Sequence, residues 1–177
     1  MFATLKNRLN DAGTLSALCK EAERVARNLG AETPGSEHFV LASLCLPDGT
    51  ARRALASLGA TPEAFEKAIN SQFADALRHA GLELAPATDQ APESIPICRS
   101  PSKLYRTTPS AQALVQRLAS SAETRANRSL LTADVLLAVA EEEFSIAARA
   151  LGVLGIKPEQ LVHAARQEVA FYESRQA

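Results

Sequence analysis

The sequence predicts an all-α fold of about eight helices. Of the 177 residues, 46% are apolar and 22% are charged, a balance typical of globular proteins. Aromatic residues make up only 5% and Trp is absent, whereas strands favour β-branched and aromatic residues. Apolar residues instead recur every three or four positions, which is the period of an amphipathic helix.

Four helices are predicted in the first half of the chain. Their apolar stripes cover residues 15–29, 37–46, 51–58 and 65–77. Gly30 and Gly59 are placed to end the first and third helices. The hydroxyl of Ser36 is placed to cap the second helix, which is apolar on nearly every side. Thr61-Pro62-Glu63 opens the fourth as cap, first-turn proline and first-turn acid.

The second half repeats this order after a proline-rich connection, residues 81–107, that has no sustained periodicity. Its stripes cover residues 111–122, 133–143, 147–154 and 161–172. Thr132 is the predicted cap of the second of these helices, Gly155 ends the third, and Pro158-Glu159 opens the last. We therefore expect a first unit at 1–80, a linker at 81–107 and a second unit at 108–177, packed into one domain.

An internal repeat is visible when the sequence is shifted by 96 residues, so that 36–69 lies over 132–165 without a gap. Eleven of those 34 positions are identical, where chance pairing of an Ala-rich chain would give about 3. The identities include core Leu and Ala, the terminating Gly and the helix-opening Pro-Glu. Four helices cannot bury every apolar face alone, so we expect the units to pack about a pseudo-twofold axis.

The repeated segments resemble the Clp amino-terminal domain, a double-repeat domain of Clp-family AAA+ unfoldases. Residues 35–42 read GSEHFVLA and residues 51–59 read ARRALASLG; their counterparts are LTADVLLA at 131–138 and AARALGVLG at 147–155. The resemblance extends from Met1-Phe2 over nearly the whole chain except the linker. It is carried by the order and spacing of these segments, which occur twice.

The resemblance implies a recognition function without chemistry. In that family the domain binds adaptor proteins and unfolded or tagged polypeptides, and passes them to the ATPase ring. No GxxxxGK[ST] phosphate loop occurs in the sequence, so we expect no ATP site and no other cofactor in this chain. The chain is expected to be either a free-standing Clp-type module or a piece of a larger ATPase, with a Clp ATPase, an adaptor or substrate polypeptide as partner.

The candidate peptide- or adaptor-binding residues lie where the second helix of each unit begins. They are Ser36, Glu37, His38, Thr132 and Asp134. In some Clp branches the Glu of each repeat helps to hold phosphoarginine. The first unit keeps Glu37 and His38, but the second has Ala133 and Asp134, so a two-pocket phosphoarginine reader is not expected. The alternative for Glu37 is simple compensation of the helix dipole, with His38 in a packing or capping role.

Other chemical constellations are not favoured by the spacing. The three histidines are far apart and the three cysteines lack finger spacing, so no metal site is expected. Cys19 and Cys45 lie on predicted apolar faces, and Cys98 lies in the linker. The acidic run 141–143 is interpreted as a solvated turn.

A net charge of -1 and basic residues without interleaved aromatics argue against nucleic acid as a partner. No apolar run reaches the length of a membrane span, and the amino-terminal segment is a poor signal peptide, so we expect a cytoplasmic protein. An enzyme is the remotest of the functions considered. The main alternative to a peptide-binding module is a structural or oligomerising helical domain without a peptide site.

Overall fold

Eight α-helices and no strand occur in the residues that the structure describes. The structure, a computed structural model, describes residues 2–79, 107–122, 125 and 128–175. The helices are α1 (Phe2–Asn28), α2 (Ser36–Cys45), α3 (Thr50–Ser57), α4 (Pro62–His79), α5 (Pro109–Ser120), α6 (Ala133–Ala140), α7 (Ile146–Val153) and α8 (Pro158–Ser174). The predicted all-α class is confirmed.

Several helix ends follow from the local sequence, and those at Gly59, Thr61 and Gly155 were predicted. The Ala64 N–H donates to the Thr61 hydroxyl, and the Ala111 N–H donates to the Thr108 hydroxyl, so both threonines cap the helices that they precede. Gly59 and Gly155 adopt φ values of 75° and 74° after α3 and α7. Residues with a Cβ rarely adopt such values, so glycine allows the chain to leave the helix there.

Two predicted caps differ from the structure. Ser36 is the first residue of α2 rather than its cap; Gly35 holds the cap position, and the Ser36 hydroxyl is buried without a hydrogen-bond partner among the described residues. Thr132 does precede α6, but its hydroxyl does not bond to that helix. Helix α6 ends at Ala140 instead of continuing through the acidic run, because a helix C-terminus disfavours negative charge.

Helices α2 and α6 form the centre of the molecule. Helix α1 packs on α2, α5 packs on α6, and the two central helices contact each other. Helix α3 of the first half packs against α8 of the second, and α7 packs against α4. Each half thus rests its third helix on the fourth helix of the other. The pseudo-twofold axis stays a prediction.

The buried apolar residues of both halves belong to one cluster that runs from Leu18 in α1 to Ala165 in α8. The two halves also meet at the start of α5, where the Thr108 N–H donates to the Pro34 carbonyl at 3.0 Å. The predicted linker lies outside the described residues apart from Thr107, and so does Cys98. Among the helices described, none combines the length and apolarity that a membrane crossing needs.

Candidate functional site

The three candidate residues of the first half lie buried at the start of α2. Glu37 is 4% exposed and His38 is 3% exposed, and Ser36 is fully buried. The Gly35 N–H donates to Nδ1 of His38 at 2.8 Å, so His38 satisfies a backbone donor that the helix leaves unpaired. Because Nδ1 accepts this bond it carries no proton, and its 3.2 Å approach to Glu37 Oε1 is not an ion pair.

The Glu37 carboxylate folds back over Gly35. It occupies the space that a Cβ at residue 35 would need, so only glycine fits there without displacing the acid. The backbone of Gly35 is extended, with φ -103° and ψ 175°, and imposes no such requirement by itself. The carboxylate therefore lies beside the first turn of α2, where the helix dipole favours a negative charge.

Asp134 performs at the start of α6 the task that His38 performs at α2. The Leu131 N–H donates to its carboxylate at 2.9 Å, again three residues before the acceptor. The same carboxylate accepts two hydrogen bonds from Arg128, at 2.6 and 2.8 Å. Burial disfavours the charge of Arg128, but the hydrogen bonds and charge of Asp134 outweigh it and raise the arginine pKa. Two different residue types thus cap corresponding positions of the repeat.

Thr132 joins the two halves through a shared set of polar contacts at the starts of α3 and α6. The Ala51 N–H of α3 donates to the Thr132 hydroxyl at 3.1 Å, and the Ala133 N–H of α6 donates to the Thr50 hydroxyl at 2.9 Å. The two hydroxyls are 3.0 Å apart. The carboxylate of Asp48 accepts from both hydroxyls and from both threonine N–H groups. Each threonine therefore caps the helix of the other half.

Glu142 is partly buried near Ser36 of α2, which corrects the interpretation of residues 141–143 as a wholly solvated turn; Glu141 and Glu143 are exposed. Neither carboxylate oxygen of Glu142 has a hydrogen-bond partner among the described residues. Burial raises the pKa of Glu142, and the charge of Glu37 adds to the rise. The rise is opposed by Ser145, Arg117 and Ser36. The charges of two acids from different halves, Glu37 and Glu142, thus act unfavourably on one another.

Asp134 also lines a cleft of about 470 Å³ between α5, α6 and α8. Leu118, Leu137 and Val162 supply apolar lining from the three helices. The charged lining residues are Arg117, Arg125, Arg128, Arg166, Asp134, Glu141 and Glu173. More of the lining residues are charged than apolar, so the cleft offers several ion-pairing groups around a small apolar surface.

Of the five predicted site residues, Asp134 lines this cleft, while Ser36, Glu37, His38 and Thr132 are enclosed by the packing of the two halves. Sequence reasoning did not single out the cleft arginines, Asp48 or Thr50. The spacing of Val162 and Arg166, one turn apart on α8, could have indicated a shared face. Asp48 and Thr50 bond to each other locally, but their shared partner Thr132 comes from the other half of the chain and gave no local signal.

No protein-family model matches this chain, and a comparison with curated proteins also gives no match. Within the described ranges, no group of three or more His, Cys, Asp or Glu side chains is placed to hold a metal ion. Cys45 is exposed rather than inward as predicted. Partial burial and the nearby charge of Glu21 raise the pKa of its thiol, which disfavours the reactive thiolate.

Proposed function

We propose that this chain is a non-enzymatic module that binds proteins or peptides, resembles the Clp amino-terminal domain, and recruits substrates or adaptors to a Clp ATPase or protease system in the cytoplasm. The observation that carries the proposal is the cleft between α5, α6 and α8. Its apolar lining would take a side chain of the ligand, and its charged walls would fix the orientation of the bound segment. The order of the eight helices supports the comparison with the Clp domain.

The buried candidate residues act in this proposal by holding the helices that form the site. Thr132 fixes the start of α6 against α3, and Asp134 holds Arg128 at one end of the cleft. Glu37 and His38 complete the start of α2, on which α6 packs. A ligand would then contact the cleft lining, while these groups keep its walls in place.

A matched pair of substitutions tests the cleft. Val162→Arg places a charge on its apolar lining, whereas Val153→Arg makes the same change on α7, where Val153 is 56% exposed and does not line the cleft. Binding of a fluorescein-labelled, permanently unfolded polypeptide is measured by fluorescence anisotropy. We expect Val162→Arg to weaken binding about tenfold, because interface energy is concentrated in a few central side chains, and Val153→Arg to leave it unchanged.

Both variants are first compared with the wild type by thermal unfolding, so that a loss of binding is read only from folded protein. Absence of binding to the wild-type chain, or an equal loss in both variants, would contradict the proposal. Capture of a Clp ATPase by the wild-type chain but not by Val162→Arg would place the recruiting surface at the same cleft.

A structural or oligomerising role is the second candidate. Large apolar side chains are exposed outside the cleft, notably Phe144 at 87% and Phe171 at 52%. Exposed groups of this kind occur at subunit interfaces. Sedimentation equilibrium distinguishes the two functions, because a stable homodimer that binds neither polypeptide nor a Clp ATPase would favour the structural role.

A further inference from the structure

The cleft between α5, α6 and α8 contains one arginine whose charge is not matched by an acid. Arg128 pairs with Asp134 and, at 3.2 Å, with Glu173. Arg125 pairs with Asp11 at 2.7 Å. Arg117 approaches Glu141 at 3.3 Å, whereas Arg166 makes no ion pair with any described residue. The acids that line the cleft are therefore already engaged, and the unmatched charge is positive.

Arg166 lies beside the apolar part of the cleft. It follows Val162 by one turn of α8, and residues four apart on a helix are neighbours on its surface. Glu173 lies two turns further along the same helix, about 10 Å away at 1.5 Å per residue. The free guanidinium is thus displaced along α8 from the Arg128, Asp134 and Glu173 group and adjacent to apolar lining.

A second unmet donor belongs to the wall of the same cleft. The side chain of Arg125 is 4% exposed; its terminal nitrogens donate to Asp11, to the Leu118 carbonyl and to the Ser121 hydroxyl. Its Nε–H is buried, which keeps it out of reach of a ligand in the cleft. Arg166 is therefore the lining charge that remains available to a ligand, and it favours an anionic group over a cationic one.

We infer that the cleft selects polypeptide segments that carry a carboxylate next to an apolar side chain, with Arg166 as the partner of the carboxylate and Val162 beside the apolar group. The inference rests on the proposed function and adds the chemistry of the ligand to it. The carboxylate can belong to an Asp or Glu side chain or to a polypeptide C-terminus. A basic segment is disfavoured because it would have to separate arginines from the acids that they already bind.

A peptide series tests the selection. Short fluorescein-labelled peptides with a central Leu-Glu, Leu-Gln or Leu-Lys pair and an amidated C-terminus report on a side-chain carboxylate. A Leu-Gln peptide that ends in a free carboxylate reports on the C-terminal source. We expect the wild-type chain to prefer a carboxylate peptide over amidated Leu-Gln about fivefold, with amidated Leu-Lys weakest and the preference smaller at high ionic strength.

Substitutions at Arg166 identify its role. Arg166→Gln is expected to abolish the preference for the carboxylate while leaving amidated Leu-Gln binding unchanged, and Arg166→Lys to retain part of it. Arg149→Gln is the matched control, because Arg149 is exposed on α7, makes no ion pair with described residues and does not line the cleft. Equal binding of the Leu-Glu and Leu-Gln peptides, together with no gain from a free C-terminus, would overturn the inference. Equal effects of Arg166→Gln and Arg149→Gln would also overturn it.

Failure of the carboxylate preference is distinguishable from failure of the proposed function. If all peptides bind the wild type equally and Val162→Arg still weakens them, the cleft binds polypeptide without charge selection. If no peptide binds, both the inference and the proposed function are wrong.

Discussion

Glu142 holds a carboxylate in surroundings that favour its protonated form. The hydroxyls of Ser145 and Ser36 oppose the rise in its pKa, but neither carboxylate oxygen has a hydrogen-bond partner among the described residues. The Arg117 guanidinium is 4.0 Å away and also approaches Glu141. Burial therefore dominates, and the nearby charge of Glu37 adds to its effect.

Glu142→Gln is expected to stabilise the protein at neutral pH. Because the pKa of Glu142 is raised in the folded chain, its protonated form contributes stability at low pH that is lost as pH rises through the native value. Glutamine keeps the shape and has no charge to bury, so we expect a gain of about 1 kcal/mol at neutral pH that disappears below about pH 4. Thermal unfolding across this pH range measures it.

Glu143→Gln is the control for that experiment, since Glu143 is the exposed neighbour in the same acidic run. Its unfolding free energy should follow the wild type at every pH. A Glu142→Gln variant that is less stable than the wild type at neutral pH, with the same pH dependence, would show that the carboxylate is well paired in solution.

Single-residue roles were the least predictable from the sequence. The capping alternative for His38 is what the structure contains, because the acceptor lies three residues from its donor and the relation is local. The burial of Glu37 was not predictable from its sequence position, because a glutamate is usually exposed. Phe144 next to Glu142 is exposed, so the sequence around 141–145 inverts the usual relation between polarity and burial.

Helix starts in this fold are completed partly by the opposite half. Thr61 and Thr108 cap their own helices, and the role of Thr61 was predicted from the residues that follow it. Thr132 was predicted to act in the same way, but its hydroxyl is used by α3 while Thr50 serves α6. A sequence pattern identifies a residue able to cap a helix, whereas the identity of that helix depends on how the halves pack.

Removing the hydroxyl of Thr50 or of Thr132 should destabilise the protein, and the two losses of stability should be coupled. Thr50→Val and Thr132→Val each leave a helix N–H without its acceptor, with an expected cost of about 1–2 kcal/mol. The double variant should lose less than the sum, because each single change also disturbs the contact between the hydroxyls and their bonds to Asp48. Urea unfolding of the four proteins gives the coupling energy.

Thr61→Val provides the comparison, because Thr61 caps α4 with an exposed local bond and has no contact with Thr132. Its loss should add to that of Thr132→Val within error. If the losses of Thr50→Val and Thr132→Val were also strictly additive, the two threonines would act independently. Their capping of each other's helices would then contribute no link between the halves.

The all-α class and most helix positions were predictable because apolar periodicity and helix-terminating residues act within each segment. Helix α1 is the exception, since it begins at Phe2 and not at the start of the apolar stripe at 15–29. The packing of these segments against one another was less predictable. The repeat predicts two related halves, but the contact of α3 with α8 and of α4 with α7 depends on which faces meet across the molecule. The cleft results from that packing together with α5. The spacing of Val162 and Arg166 indicates a shared helix face, but it does not indicate that Arg166 lacks an acidic partner.

Since one apolar cluster spans both halves, the described helices should unfold together. Phe65 is fully buried in α4, which packs on α7 of the second half. Phe65→Ala should cost about 3–5 kcal/mol. In this variant the opening free energy measured by hydrogen exchange should fall by the same amount for the amides of α6 and α8 as for those of α2. The reason is that opening either half exposes the faces that cover the other.

Val153→Ala, at an exposed site, should change neither the stability nor the exchange rates. Retention of full protection in α6 and α8 while α2 exchanges would mean that the halves are separate folding units held together only by their surfaces.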